Sequence, residues 1–452
     1  MPGIGTDKAD NNVLLGFPLA GGYGLDTAGF ALLGLMNGGP VRGFQVSGIF
    51  NTAGDVGGLQ LAGLFNTSGA DIKGFQVSGL FNIAGMDVQG AEIASMEMFG
   101  FQAAGLANIA GADVSGSQAA GLFNIAGGSV AGLQAGSIFN TAREDVLGLQ
   151  AAGLFNIAGG SMTGLQAAGI FDIAAGDVAG LQAAGIFGYA GGGFRGARVS
   201  GIASYTGGSF QGMSLSGIFN YAGGDFQGLQ AGLANIAAAD MSGLQIGLYN
   251  QGSGGLQIGL VNVSDNESAI PLGLVNIVKN GIFSPLLWYD SMNFVNAGLK
   301  SGSKHIYALF GAGTQQVSLG GSEAVFGADR DRDDSILATR FGLGLEIPLG
   351  PAFLDFDVLA GSIWNDNLSE EKRALSDAKD KSDASSTQLF QARLSLGFKA
   401  FDHLAAFVGL SYDYLLRLSS TSPNPAKQRG LPFGWSDSKN IHKMGLFGGI
   451  QF

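Results

Sequence analysis

Gly148-Leu-Gln-Ala-Ala-Gly-Leu-Phe-Asn-Ile-Ala-Gly-Gly-Ser-Met-Thr163 is followed by Gly164-Leu-Gln-Ala-Ala-Gly-Ile-Phe-Asp-Ile-Ala-Ala-Gly-Asp-Val-Ala179, the same sixteen-residue sentence with small changes. Its opening glycine recurs at 43, 58, 74, 90, 100, 116, 132, 148, 164, 180, 196, 212, 228, 243 and 255. A fixed period of this kind predicts a repeat architecture. Each copy is glycine-rich, is studded with β-branched and aromatic residues, and lacks a helix-length apolar stripe. It can therefore hold two short strands and two corners but no helix pair. Stacked in register at about 4.8 Å, such copies place Leu on Leu, Phe on Phe and Asn on Asn. That is a β-solenoid, and about fifteen rungs give a body on the order of 70 Å long.

The competing expectation is one large transmembrane β-barrel in which each copy is a strand and a turn. Leu149, Ala151, Gly153, Phe155 and Ile157 would then face lipid, and Gln150, Ala152, Leu154, Asn156 and Ala158 a lumen. The copies at Gly228 and Gly243 lose one residue between Gln and the next Gly. Within a continuous strand that deletion would turn every later side chain to the other face, so the position reads as a corner and the solenoid is favoured. The turns between copies also look alike, whereas the two sides of an outer-membrane barrel usually carry turns of different length.

Composition narrows the class. The chain has 452 residues, 79 of them Gly, no Cys and a net charge of −12. With a pI near 4.6 it lacks the clustered Lys and Arg that nucleic acid requires. From 43 to 280 there are 14 acidic and 5 basic residues. No apolar run of about eighteen residues is present to form a transmembrane helix. Met1 to Lys8 does not read as a signal peptide, so an exported protein is expected here in its mature form.

Residues 1–10 are expected to be disordered. Residues 11–24, with Pro18 at an irregular end, read as a barrel strand, and 25–285 as the solenoid, with Gly29–Asn37 as a degenerate first cap. The short copy Gly90–Phe99 carries Glu92 and Glu97 and reads as a surface notch in the stack. Arg143, Glu144 and Asp145 read as a solvated bulge. Aromatic residues gather in the later rungs, and Tyr189, Phe194, Tyr205, Phe210, Tyr221 and Phe226 are either core stacking or a binding face for sugars or apolar ligands. The stretch Pro271–Tyr289 reads as the second cap and a handover.

Residues 286–452 follow a different rule. Phe390, Ala392, Leu394, Leu396 and Phe398 alternate with Gln391, Arg393, Ser395, Gly397 and Lys399. Similar alternation recurs from 337, 354, 406 and 444. Strands of this length, apolar outside and charged inside, joined by alternating short turns and long polar loops, predict a small outer-membrane barrel. Seven strands are countable from 289 to 452. Barrels of this kind have an even number, so residues 12–24 are assigned as the eighth. The expected fold is therefore all-β, a solenoid of ~16-residue repeats inserted in the first outer loop of an eight-stranded antiparallel barrel. Arg340, Glu346, Asp355, Asp357, Arg393, Lys399 and Asp413 point inward. Eight strands enclose room only for side chains, so these charges should pair with one another rather than line a channel.

Gly243-Leu-Gln-Ile-Gly-Leu-Tyr-Asn250, Gly255-Leu-Gln-Ile-Gly-Leu-Val-Asn262, Lys279-Asn-Gly-Ile-Phe-Ser-Pro285 and Gly448-Gly-Ile-Gln-Phe452 resemble the surface-repeat outer-membrane proteins first catalogued in spirochaetes and found in other Gram-negative bacteria. The resemblance covers nearly the whole chain. It implies a cell-surface location and no defined activity.

No catalytic or cofactor motif is present. His305, His403 and His442 stand singly, as interfacial side chains do. Asp329-Arg-Asp-Arg-Asp-Asp334 lacks the spacing of a calcium loop, and the Gly-Gly-Asp corners lack the second step of calcium-binding nonapeptides. The expectation is a non-enzymatic surface protein in binding, adhesion or structure, without cofactor or metal. Its partners would be outer-membrane lipid and an unidentified extracellular or cell-surface molecule. The alternative is a channel or transporter for solute or lipid.

Overall fold

A computed structural model describes the chain except for residues 1–12, 17–18, 23–27, 86–91, 94–95, 98–99, 293, 317–334, 366–385, 402–403, 418–433 and 437–439. Every described element is a strand or turn. The chain divides into two compact units, Met1–Gly243 and Leu244–Phe452.

The repeats form a parallel β-solenoid of about fifteen turns. Val146–Ala152 pairs in parallel with Val130–Gly136 on one side and Met162–Ala168 on the other. Phe155–Ala158 does the same with Phe139–Ala142 and Phe171–Ala174. Register sets like on like: Leu149 on Leu165, Gln150 on Gln166, Phe155 on Phe171. Neighbouring copies run the same way, which excludes the antiparallel large barrel for the repeats. The shortened copy at Gly228 loses its residue at the Gly232-Leu233 bend between two strands, a corner as its sequence implied.

Each full turn has one bend more than expected. From Gly116 to Gly243 the opening glycines have φ between +127° and +155°, so the longer strand turns at its third residue. A Cβ on Gly148 would fall on the carbonyl oxygen of Gly132 one turn below. Glycine is therefore required at this place both by φ and by space.

Inside, apolar columns such as Val114, Val130, Val146, Met162 and Val178 lie beside two buried amide ladders. Gln150 Nε2 donates to Gln134 Oε1 at 2.8 Å, toward the preceding turn. Asn140 Nδ2 donates to Asn156 Oδ1 at 2.9 Å, toward the following one. The ladders thus run in opposite senses. The corner aspartates are structural as well: Asp145 Oδ1 accepts from Ser161 N at 2.6 Å, and Asp177 Oδ1 from Gly193 N at 2.6 Å. Arg143, Glu144 and Asp145 are exposed, as expected of a bulge.

Two expectations about the repeats are corrected. Glu92–Ile93 and Met96–Glu97 form a small antiparallel hairpin. The turns on either side pair directly, Phe75–Ser78 with Gly100–Ala104, so the short copy is an insertion between turns rather than a notched rung. Residues 11–24 are not a barrel strand either. Val13–Gly16 pairs in parallel with Ala28–Ala31, and Leu19–Gly22 with Gly34–Asn37, making this stretch the first turn of the solenoid. Residues 1–10 lie outside the described residues.

The eight-stranded antiparallel barrel is instead contiguous: Ile282–Asp290, Val295–Gly302, Ile306–Gln316, Ser335–Leu349, Ala352–Asn365, Ser386–Phe401, Leu404–Arg417 and Asn440–Gln451. It closes where Ile282–Asp290 pairs with Asn440–Gln451. A short strand, Gly434–Ser436, adds to the last. The strand missing from the sequence count is the handover segment. Pro285 lies just before its first paired residue with the closing strand, Leu286, where the missing N–H removes no rung of that pairing. Leu286, Trp288 and Asp290 point inward, and Phe283, Leu287 and Tyr289 outward.

Contiguity also moves the repeats from the outer loop assigned to them. Strand directions put Ile282, the strand ends joined by the short stretches 303–305, 350–351 and 402–403, and Gln451 at one end of the barrel. The strand ends joined by the long stretches 317–334, 366–385 and 418–439 are at the other, with the short connection 291–294. In the second unit the last solenoid turn abuts the short-turn end: Asn276 Nδ2 donates to Ser301 O at 3.0 Å, and Ser301 Oγ to Leu274 O at 3.4 Å.

Candidate functional site

Two side-chain clusters stand apart from the repeat, one in the barrel and one in turns 172–226. In the barrel, the inward positions of the alternating strands carry the charges. Arg340, Glu346, Asp355, Asp357, Arg393 and Asp413 are buried, as their parity implied. Lys300 Nζ lies 3.1 Å from Glu346 and 2.8 Å from Asp355, and 4.2 Å from the Tyr307 ring centre. Arg393 Nη2 lies 2.7 Å from Asp357, whose other oxygen accepts from Tyr307 Oη at 2.5 Å. Arg340 pairs with Asp290 at 2.7 Å and donates to Asn296 and Gln391. Asp413 accepts from Gln391 at 2.7 Å and Ser411 at 3.2 Å.

Lys399 departs from its assignment. Its side chain is 46% exposed, and it reaches Glu346 only at 3.7 Å. Sequence reasoning missed Lys300 and Asp290 as interior partners. Lys300 shares the parity of buried Asn296, and Asp290 lies one residue beyond the stretch read as a handover.

These ion pairs are layered between apolar groups. Leu286, Trp288, Tyr307, Phe353 and Phe447 fill one level, and Met292, Phe294, Ile363 and Leu415 another. Desolvated pairs with further hydrogen bonds close the interior, as the small bore of eight strands demands.

In the solenoid, the Asn column reads Asp172, Gly188, Ser204 and then Asn220, and the Gln column reads Arg198 and Ser214 after Gln182. The amide ladders therefore break over three turns, and aromatic stacks replace them. Phe194, Phe210 and Phe226 are 2%, 2% and 1% exposed and stack inside at 4.9 and 5.3 Å. They are core, not a binding face, because larger rings fill the volume that Ser and Gly vacate. The Arg198 guanidinium lies 4.1 Å from the Phe194 ring centre and donates to Tyr205 O at 2.7 Å.

Asp172 is fully buried. Its Oδ1 accepts from Asn156 at 2.9 Å, and Oδ2 has no partner. Burial pushes its pKa up to about 6, against hydrogen bonds and the Arg198 charge, which lower it. Burial likewise holds Arg198 down at about 9.

Tyr189, Tyr205 and Tyr221 are half-buried on the outer face, stacked at 5.3 and 5.1 Å. They are the part of the proposed binding face that reaches solvent. Beside them runs the outer Phe column, in which Phe123, Phe139 and Phe155 stack at 4.8 and 5.1 Å. The column is interrupted at Ala203, between Phe187 and Phe219. The Ala203 interruption lay in plain view in the sequence; only register shows which rings flank it.

His305 Nδ1 lies 3.2 Å from Glu346 O, and the His442 ring packs at a tilt against Tyr412 and Tyr414. His403 and Asp329–Asp334 fall outside the described residues. Among the described residues no cluster of three or more His, Asp or Glu is placed to hold a metal. No family model matches the chain, and neither does any curated protein or solved structure.

Proposed function

We propose that the chain is a non-enzymatic outer-membrane protein of a Gram-negative bacterium, whose barrel anchors the repeats as a binding or structural array. The observation that carries this reading is the barrel wall. Phe310, Phe341, Leu343, Phe356, Leu394 and Val408 are exposed on successive strands. A continuous apolar belt around a closed antiparallel barrel fits a bilayer and is costly in water. The ion-paired, aromatic interior argues against the channel reading.

Periplasmic turns of such barrels are short and surface loops long. The repeats join at the short-turn end, which favours the periplasmic side of the membrane. A second reading, display at the cell surface, is favoured by the resemblance to surface-repeat proteins and by nothing in the barrel topology.

Protease treatment of intact cells, with fragments assigned to the chain, tests the placement. Repeats that survive in intact cells and are cut only after the outer membrane is opened support the periplasmic reading. Cleavage in intact cells supports display instead. In planar bilayers the protein should give no conductance steps. Steady large steps, or recovery in the soluble fraction, would overturn the anchor itself.

A further inference from the structure

The interruption at Ala203 is a slot left by one missing ring. Phe187 and Phe219 lie one turn to either side, so their backbones are about 10 Å apart, two strand spacings. Ala203 is the floor, and the edges of the stacked Tyr189, Tyr205 and Tyr221 form one wall. Within the tyrosine stack the ring faces cover one another, at interplanar angles of 5° and 9°. Free aromatic faces are therefore found at the slot and not along the strip.

The column has two other alanines, Ala107 between Phe81 and Phe123 and Ala234 after Phe219. Ala107 is 0% exposed, whereas Ala203 and Ala234 remain half-open. Beside Ala107 stands Ile109 and beside Ala234 stands Ile236, but beside Ala203 stands a tyrosine. Of the half-open positions, Ala203 is thus the one with phenolic hydroxyls next to it.

We propose that this slot binds one hexopyranose ring of a glycan. The C–H faces of a pyranose would take the place of the absent phenyl ring between Phe187 and Phe219. Its equatorial hydroxyls would meet the phenol groups of Tyr205 and its neighbours. A peptide backbone fits less well, because the parallel sheet has spent its N–H and C=O groups along the stack and leaves a peptide unpaired. The proposal supplies the partner class for the binding array, and rests on that reading.

Full-length protein in detergent micelles is passed over immobilised peptidoglycan fragments, lipopolysaccharide core oligosaccharides and chito-oligosaccharides. The retained probe is then titrated calorimetrically. Wild type should bind at least one, and which arm binds distinguishes a cell-wall source from a surface source. Ala203→Phe rebuilds the column seen at Phe123–Phe155, so it should fold at least as stably and weaken binding by about tenfold or more. Tyr205→Phe, which keeps the stack, should weaken it severalfold. Retention of no saccharide by wild type, or equal binding by Ala203→Phe, overturns the proposal. The anchor reading fails separately, in the fractionation and conductance measurements.

Discussion

Asp172→Asn should make the solenoid more stable at neutral pH, although it gives up the attraction between the carboxylate and the Arg198 charge. In the turn before, Asn156 Nδ2 donates to Ala167 O at 2.8 Å. Asp172 Oδ2, by contrast, is buried with no hydrogen-bond partner. Burial therefore favours the protonated acid, with a pKa of about 6 in place of the ordinary 3.8. An acid whose folded pKa is raised leaves stability intact below its unfolded value and removes it as pH rises through the folded one. The loss therefore grows from pH 3.8 and is complete somewhat above 6. At 1.36 kcal/mol per pH unit the interval corresponds to about 3 kcal/mol.

Arg198, at about 9, stays cationic throughout this window, so its lost attraction subtracts from the gain but does not move the window. Stacked turns open locally rather than all at once, so the assay is hydrogen exchange by mass spectrometry on the full chain. At pH 7.5, amides of Met162–Ala190 in the variant should exchange up to about a hundredfold more slowly than in wild type. Near pH 4 the two should converge. Unchanged or faster exchange in the variant at pH 7.5 would refute the reasoning.

Gly148→Ala combines an unfavourable φ with a clash on the Gly132 carbonyl; it should cost about 2 kcal/mol or more and open protease cleavage in turns 132–164. Lys300→Met strands Glu346 and Asp355 without their cation. A loss of about 3–5 kcal/mol is expected, read as a lower temperature at which the barrel loses its folded mobility on SDS gels. Adding Glu346→Gln to Lys300→Met should recover part of that loss, and no recovery would argue that packing alone is responsible.

The repeat was legible because its signal is redundant: a period seen in many copies survives errors in any one. Strand parity in 337–360 and 390–414 was legible for the same reason, with charge alternating against Phe and Leu. Ile282–Asp290 was obscured because both its faces are apolar and Pro285 suggests a break. That single omission forced residues 12–24 into the barrel and made the repeats an insertion between its strands. The burial of Phe194, Phe210 and Phe226 could not be told from sequence spacing, because it depends on the extra bend at each opening glycine. The half-buried tyrosines lie on the other strand, beyond that bend.

The opposite senses of the glutamine and asparagine ladders bear on how far such a stack can grow. Aligned peptide dipoles in an α-helix add into a macrodipole. In this solenoid the side-chain amides of Gln134–Gln150 and Asn140–Asn156 point in contrary directions, so their contributions offset at every step. Gene duplication could therefore lengthen or shorten the stack by whole copies without accumulating charge separation, each new copy answering only to its two neighbours.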